Sequence, residues 1–228
     1  LWKCGWWARG NVGDCMPTFG SMRAGVVGVG EGDNCVAVCS DITMHKEREQ
    51  HLEQLAHFDG LTSLPNRMLF HDRLRAALHR AHRHKNSCAI LYIDLDGFKQ
   101  VNDRLGHAVG DDVLVKVSHQ LNQSIREDDT AARLGGDEFA IIFNELSDKD
   151  DEVDMLAARV LEHLTFKVNA EAEALPISAS IGVAIYPDHG DSVEALLRCA
   201  DQAMYYCKQH GKQSYRCFSE EMTVLSDK

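Results

Sequence analysis

Long apolar segments are absent from this sequence. No stretch of its 228 residues approaches the roughly 20 consecutive apolar residues that a membrane-spanning helix needs. No repeat, low-complexity tract or signal peptide is recognisable. We therefore expect a soluble, cytoplasmic protein or a soluble piece of one, leaving open a membrane tether in regions outside this sequence.

Positive charge is also scarce. The sequence has 24 Lys and Arg against 35 Asp and Glu, a net charge of −11. This balance argues against a nucleic-acid partner or an anionic membrane surface, because both attract clustered positive charge. Any phosphate ligand would need positive charge supplied locally.

Paired cysteine motifs are missing as well. The eight cysteines are scattered and form no Cys-x-x-Cys pair, which favours reduced thiols over a disulfide framework. His79, His82 and His84 lie near one another, but no cysteine or carboxylate completes a zinc ligand set there. We interpret them as part of a solvated polar face.

From Ser87 onward the sequence alternates strand and helix patterns. Apolar runs predict strands at 88–96, at the segments TAARL and FAIIF, at 177–187 and at SYRCF. Helical spacing of apolar residues predicts helices that begin near Gly110, Asp150 and Ser192. The order β-α-β-β-α-β, plus a final strand, predicts an α+β fold with a ferredoxin-like sheet covered by helices.

The region before Ser87 has two parts. An amphipathic helix is predicted near residues 66–85, with Leu74, Ala77, Leu78 and Ala81 on its apolar side. Residues 1–42 are glycine-rich and end in the strand-like run CVAVCSDIT. A charged helix at 43–58 would join these two parts, and its apolar positions are too few for an isolated coiled coil.

Two pairs of acidic residues are candidates for a metal site. Asp94 and Asp96 end the first strand of the predicted sheet, and Asp137 and Glu138 follow Gly135 and Gly136 in a hairpin signal. In a ferredoxin-like sheet these strands are neighbours, so the acids would converge on a hard cation such as Mg²⁺. The alternative is that they are ordinary strand-end and turn residues.

These motifs resemble the GGDEF family of diguanylate cyclases. The resemblance covers about residues 59–218 and rests on six motifs in order: DGLTSLPNR, IDLDGFKQVND, GHAVGD, RLGGDEF, ISASIGVA and ADQAMYYCKQHGK. It implies a polymerase-palm-like domain that binds one GTP. Two such domains would face each other as a homodimer, join two GTP molecules into cyclic di-GMP and release pyrophosphate.

The resemblance also implies roles for individual residues. Mg²⁺, with Mn²⁺ as an alternative, would bind to Asp94, Asp137 and the Leu95 carbonyl, with Glu138 near a second ion. Asp137 and Glu138 would be the catalytic residues, Asp137 helping to deprotonate the 3′-hydroxyl. Substrate would contact Gly97, Phe98, Lys99, Asn102, His107, Asp111, Gly135, Gly136, Lys208 and Lys212.

The resemblance bears on two further positions. Lys212 stands where the family commonly has arginine, so the charge remains but the bidentate fork is lost. Arg126 and Asp129 match an R-x-x-D product-inhibition site for cyclic di-GMP, and five residues separate Asp129 from Gly135. The alternative reading of this pair is a surface ion pair.

The flanking segments resemble pieces of other modules. Residues 1–42 are similar to the last part of a PAS sensor domain, and residues 219–228 to a tail that leads to a cyclic di-GMP phosphodiesterase domain. Two functions are compatible with the whole pattern: a Mg²⁺-dependent diguanylate cyclase, or a silent module that binds GTP or cyclic di-GMP and regulates an attached phosphodiesterase. The intact Asp94 and 135–139 segment favour the enzyme.

Overall fold

A computed structural model of the protein describes residues 22–28, 35–41, 48, 56–146, 149–170 and 173–225. The chain divides into two compact units, Leu1–Gln54 and Leu55–Lys228. In the first unit, strand β1 (Met22–Gly28) pairs antiparallel with β2 (Cys35–Asp41). The strand predicted for CVAVCSDIT is confirmed. The PAS assignment stays a prediction, and most of the predicted helix 43–58 lies outside the described residues.

The second unit alternates helices and strands. Its helices are α1 (Arg67–His84), α2 (Phe98–Leu105), α3 (His107–Ser124), α4 (Lys149–His163) and α5 (Val193–Gln209), followed by a 3-10 helix (Glu220–Leu225). Its strands are β3 (Ser87–Asp96), β4 (Thr130–Gly135), β5 (Glu138–Leu146), β6 (Phe166–Ala170), β7 (Glu173–Tyr186) and β8 (Ser214–Cys217).

The six strands of this unit form one mixed sheet. Their order is β4-β5-β3-β7-β6, with β8 beside β7. The pairing of β8 with β7 is parallel, and the other pairings are antiparallel. The four strands β7, β3, β5 and β4, with the helices between them, confirm the predicted ferredoxin-like arrangement.

Helices cover both faces of the sheet. On one face, Leu74 of α1 and Leu196 of α5 pack with Ile90 of β3. On the other, the apolar sides of α2, α3 and α4 pack with alternate residues of the same strands, including Leu91. Because β3 is buried on both faces, its sequence is almost continuously apolar until the two aspartates at its end.

Local sequence signals explain where two helices begin. Helix α1 starts after Asn66, whose side-chain oxygen accepts a hydrogen bond from the Leu69 amide at 3.1 Å. Helix α5 starts after Ser192, whose hydroxyl accepts from the Ala195 amide at 3.3 Å. The apolar stripe predicted for α1 is buried, with Phe70 added to it.

The structure refines several predicted boundaries. Helix α3 begins at His107 rather than Gly110 and ends before Ile125, which has an extended backbone. Helix α2 and strand β6 were not predicted, because each is too short to show a clear hydrophobic period. Strand β7 begins at Glu173, so it is long enough to pair with β6 through one half and with β3 through the other.

Among the described residues, no helix combines the length and hydropathy needed to cross a membrane. Cys88, Cys199 and Cys207 are buried free thiols. Burial raises the pKa of the Cys88 thiol to about 12, so this thiol stays protonated at neutral pH and packs as an apolar group.

Candidate active site

The hairpin between β4 and β5 carries the diglycine. Gly135 pairs with Glu138, so Gly136 and Asp137 are the two turn residues. Gly135 has φ 145° and Gly136 has φ 55°, a region of backbone conformation that favours glycine. A Cβ at either glycine would meet no atom within 4 Å. The backbone conformation therefore demands glycine here, and the space beside the turn is open.

The acidic end of β3 lies directly against this turn. Asp94 pairs with Glu138 across the β3–β5 ladder, and the Leu95 amide donates to the Asp137 carbonyl at 3.3 Å. The sheet thus brings the end of β3 beside the hairpin that carries Asp137 and Glu138, whereas convergence of all four acids on one cation stays a prediction. The Leu95 side chain is buried in the core, so its backbone is the part that faces the site.

A lysine from α5 neutralises Asp94. The Lys208 ammonium lies 2.7 Å from Asp94 Oδ2, and the Asp94 side chain is 15% exposed. Burial raises the pKa of Asp94, and the nearby Asp137 and Asp96 carboxylates add to the rise, while Lys208 acts against it. Because burial, more than the neighbouring carboxylates, disfavours the charged form of Asp94, a cation beside it stabilises that form.

Glu138 has partners on both sides. Its Oε2 accepts from Arg67 Nη2 at 3.2 Å and from the Tyr92 hydroxyl at 3.2 Å. Burial and the Glu138 charge raise the pKa of Tyr92 to about 12. The Tyr92 hydroxyl thus stays protonated and keeps donating, so Glu138 is held in place at the hairpin by α1 and β3.

The donor set fits magnesium in one specific way. Within the described residues, no group of three or more histidine, cysteine or acidic side chains could hold a metal ion. Asp94 and Asp137 supply two carboxylates that interact electrostatically. Mg²⁺ commonly binds through one or two carboxylates and completes its shell with waters and substrate phosphates. The site therefore suits a metal that arrives together with a phosphate ligand.

An arginine outside the predicted set holds the turn. Arg133 donates from Nε and Nη2 to the Gly136 carbonyl at 3.1 and 2.9 Å, and from Nη1 to both Asp59 oxygens at 3.0 and 3.2 Å. Burial acts to raise the pKa of Asp59, but hydrogen bonds from Thr62 and Arg133 lower it overall. Asp59 is the first residue of the motif DGLTSLPNR and Arg133 the first of RLGGDEF. Their place in these motifs is the sequence signal that could have pointed to them.

The segment after β3 offers backbone amides. Gly97 precedes α2 with φ 87°, and a Cβ there would lie 2.6 Å from the Pro176 carbonyl oxygen. Glycine has no side chain to cap the first amides of α2, so those of Phe98, Lys99 and Gln100 have no side-chain capping bond. Such a helix start is suited to an anion. Phe98 is buried and anchors it, while Lys99 is exposed.

The residues predicted to read guanine lie where α2 meets α3. Asn102 is on α2, and its side chain occupies the space above Gly110, where a Cβ would lie 2.0 Å from Asn102 Oδ1. Asp111 follows Gly110 on α3 and is exposed, as is His107 at the start of α3. The close approach of α2 and α3 thus places Asn102 against the residue that precedes Asp111.

Asp96, the second strand-end acid, is buried and serves a different purpose from Asp94. It is 7% exposed and accepts hydrogen bonds from the Ser180 hydroxyl at 3.0 and 3.1 Å and from the Gln213 amide at 3.1 Å. The Lys212 ammonium lies 3.9 Å from it. Lys208 and Lys212 therefore each face one of the strand-end aspartates.

The two residues of the R-x-x-D motif, Arg126 and Asp129, make different contacts. Asp129 is 8% exposed and accepts from the backbone amides of Arg126 and Asn144, both at 3.0 Å. The Arg126 side chain points elsewhere and pairs with Glu152 of α4 at 2.8 Å. Asp129 is thus committed to the backbone, while Arg126 remains 62% exposed.

Arg126 and Asp129 line a cleft of about 670 Å³ beside β4 and β5. Arg73 and Arg80 of α1 also line it. Arg73 donates to the Thr130 hydroxyl at 3.3 Å and Arg80 to Asn144 Oδ1 at 3.1 Å. Acidic residues share the lining: Glu127, Asp128, Asp129 and Glu145. The cleft is therefore a candidate site for a ligand that carries both phosphate and hydrogen-bond donors, and the R-x-x-D motif alone did not reveal the two arginines of α1.

The fold and the paired acids at the strand end and the diglycine turn define one family. The family described as "Diguanylate cyclase, GGDEF domain" matches residues 56–214, and the chain belongs to this family. The protein named Diguanylate cyclase TpbB from Pseudomonas aeruginosa is 42% identical over 176 residues, covering 75% of this chain and 39% of that protein. The chain thus corresponds to well under half of this relative.

Solved structures support the same fold. The isolated GGDEF domain of TpbB from Pseudomonas aeruginosa matches with a TM-score of 0.71 and 40% identity, covering 75% of this chain and 100% of that one. The coiled coil and GGDEF domain of DgcB from Caulobacter crescentus, solved in complex with c-di-GMP, matches with a TM-score of 0.69 and 26% identity, covering 77% and 93%.

Proposed function

We propose that the chain is a diguanylate cyclase that condenses two GTP molecules into cyclic di-GMP and releases one pyrophosphate from each. The observation that carries the proposal is the contact between the acidic end of β3 and the open diglycine turn, through the Asp94–Glu138 pair and the Leu95–Asp137 hydrogen bond. Membership of the family and the similarity to TpbB support it.

We assign Asp94, Asp137 and the Leu95 carbonyl as the residues that would hold Mg²⁺, with Glu138 beside a second ion and Mn²⁺ as an alternative metal. When bound, the metal would neutralise charge on the triphosphate. Burial and neighbouring carboxylates raise the pKa of Asp94, so its negative charge is costly without a cation. In the structure the Lys208 ammonium supplies the positive charge beside Asp94.

The protein's own part in the reaction is mainly positioning. The backbone amides of Gly97, Phe98 and Lys99, at the start of α2, and the ammonium groups of Lys208 and Lys212 bind the triphosphate. The Asp137 carboxylate accepts the proton of the 3′-hydroxyl as that oxygen attacks the α-phosphorus of the opposite GTP. Gly135 and Gly136 leave open space for the approach of the ribose.

Guanine recognition is assigned to the junction of α2 and α3. Asn102 and Asp111 supply an amide and a carboxylate, and the carboxylate can accept from the N1 and N2 hydrogens of guanine. Exposed His107 contacts the nucleotide from the same segment. Adenine has no hydrogen at N1 and an amino group at another position, so it leaves these groups unpaired.

One domain holds one GTP, so we propose that catalysis requires a homodimer in which two domains face each other. Residues 1–42, as part of a sensor, and the helix at 43–58 would control how the two domains meet. The cytoplasm supplies GTP, and we place the protein there. We further propose that cyclic di-GMP inhibits the enzyme at the arginine-lined cleft around Arg126 and Asp129.

The direct test incubates the purified chain with GTP and MgCl₂ and measures cyclic di-GMP and pyrophosphate by chromatography and mass spectrometry. We expect product from the wild type and none from Asp137→Asn, which changes a turn residue and should leave the fold intact. Asp72→Asn is the matched control, since it removes one carboxylate from the exposed face of α1.

Two results would contradict the assignment. Wild-type turnover by folded Asp137→Asn would remove Asp137 from the reaction. Binding of cyclic di-GMP or GTP without any turnover, in protein that is dimeric and loaded with metal, would instead support the silent regulatory module.

A further inference from the structure

The loop between α5 and β8 has an unfavourable backbone conformation. Gly211, Lys212 and Gln213 have φ values of 113°, 59° and 43°. Two consecutive non-glycine residues in the left-handed region are uncommon, because side chains with a Cβ are strained there. Such a conformation persists only where surrounding contacts impose it.

The two left-handed residues Lys212 and Gln213 are each held by a hydrogen bond from the backbone amide. The Lys212 amide donates to the Cys207 carbonyl at 2.9 Å, which fastens the loop to the last turn of α5. The Gln213 amide donates to Asp96 Oδ2 at 3.1 Å, which fastens it to the end of β3. The second bond spans 117 positions of the sequence and is the one that relates the loop to the candidate active site.

The Asp96 carboxylate is itself held rigidly. The Ser180 hydroxyl donates to it at 3.0 and 3.1 Å, and the Ser178 hydroxyl lies 3.4 Å from Oδ2. Ser178 is the residue of β7 that pairs with Asp96 in the ladder. Because Asp96 is 7% exposed, its charge is satisfied by these serines, the loop amide and the more distant Lys212 ammonium.

We propose that Asp96 is a positioning residue that sets the place of Lys212 beside the triphosphate site. It does so by holding the left-handed loop and by attracting the Lys212 ammonium from 3.9 Å. A lysine carries a point charge on a flexible stem, so a fixed backbone and a nearby carboxylate limit the positions that the Lys212 ammonium can take. The inference rests on the proposed function.

Two measurements on Asp96→Asn test this role. The first is the dissociation constant for the non-hydrolysable analogue α,β-methylene-GTP with Mg²⁺, by calorimetry. We expect it to rise on the order of tenfold, the size of one weakened charge-assisted contact. The second is hydrogen exchange, which we expect to speed up in residues 210–214 and to stay unchanged in β3. Asp72→Asn is the control with the same loss of charge.

A double-mutant cycle separates positioning from general stability. In a Lys212→Ala background, Asp96→Asn should weaken binding no further, because the group that it positions is gone. Ser180→Ala is a milder second variant that keeps the carboxylate and the loop bond. It should weaken binding several-fold with Lys212 present and not with Lys212→Ala.

The outcomes are distinct. If Asp96→Asn and Ser180→Ala bind the analogue as the wild type does, or if their effects multiply with that of Lys212→Ala, Asp96 does not act through Lys212 and the inference is wrong. If the wild type itself fails to bind the analogue with Mg²⁺, the proposed function fails and this inference fails with it.

Discussion

Replacing Asp129 by asparagine should destabilise the protein far more than replacing Arg126 by alanine, although both belong to one predicted motif. Asp129 is buried, and its two oxygens accept from the amides of Arg126 and Asn144. An asparagine has one acceptor oxygen, so its NH₂ group would face one of these amide donors. The amide that faces the NH₂ group would then lose its acceptor.

The magnitude depends on those two bonds. Losing one charge-assisted hydrogen bond and leaving a donor unsatisfied costs about 2–4 kcal/mol. For a domain of this size that corresponds to a melting temperature lower by roughly 5–15 °C. In the Arg126–Glu152 ion pair, the arginine side chain is 62% exposed and the glutamate side chain 12% exposed. Ion pairs that reach solvent contribute about 0–1 kcal/mol to the free energy of unfolding. Arg126→Ala should therefore lower the melting temperature by only a few degrees.

Differential scanning calorimetry measures both variants, with Asp128→Asn as the matched control. Asp128 is exposed, and the Asn144 side chain donates to its backbone carbonyl, not to its carboxylate. Replacing the Asp128 side chain should therefore change stability by less than about 0.5 kcal/mol. Equal destabilisation by Asp129→Asn and Asp128→Asn would refute the reasoning. It would mean that the buried carboxylate does not hold the 126–129 turn.

The same variants then decide whether the cleft is regulatory. Arg126→Ala removes an exposed arginine from the cleft without loosening the backbone, so the inhibition constant for cyclic di-GMP should rise and progress curves should stay linear longer. An unchanged inhibition constant would show that Arg126 forms only a surface ion pair. Asp129 variants alone could not decide this, because unfolding would obscure any effect on binding.

Three further outcomes are expected. The wild type should prefer GTP over ATP by a factor on the order of 10⁴ if the bound guanine is well desolvated. Substituting Asn102 or Asp111 should reduce that factor. Equal turnover of both nucleotides by the wild type would contradict the assignment. Specific activity should rise with protein concentration, and a leucine zipper fused ahead of Met44 should raise it further; constant specific activity at dilutions that leave the protein monomeric would contradict the dimer. Gly97→Ala should lower the melting temperature strongly, because its Cβ would meet a carbonyl oxygen of β7 at 2.6 Å, whereas Gly60→Ala, with nothing within 4 Å, should not.

Several features were predictable because they depend on residues close together in the sequence. The apolar run of β3 and the apolar stripe of α1 each indicate one element through their period. The diglycine indicates a tight hairpin, because Gly135 and Gly136 must adopt conformations that other residues avoid. The alternation of these elements then limited the fold to very few arrangements, one of which places Asp94 beside that hairpin.

Other features depended on contacts between distant residues. Arg133 joins the diglycine turn to Asp59 across 74 positions, and Asp96 joins β3 to the loop after α5 across 117. In the sequence Asp94 and Asp96 look equivalent, since both end the same strand and their spacing of two places them on the same face. Different segments pack against them, so Asp94 faces Lys208 of α5 whereas Asp96 is buried against Ser180 and the loop amide.

The same distinction applies to Arg126 and Asp129, whose spacing indicates a motif but not the partner of each side chain. The sequence determined which elements form and which chemical groups they carry, because backbone conformation and hydrophobic period are local properties. The tertiary structure alone decided which charges are buried, which are paired and which remain exposed. Those outcomes depend on the desolvation of each group, and desolvation is set by the segments that pack against it from elsewhere in the chain.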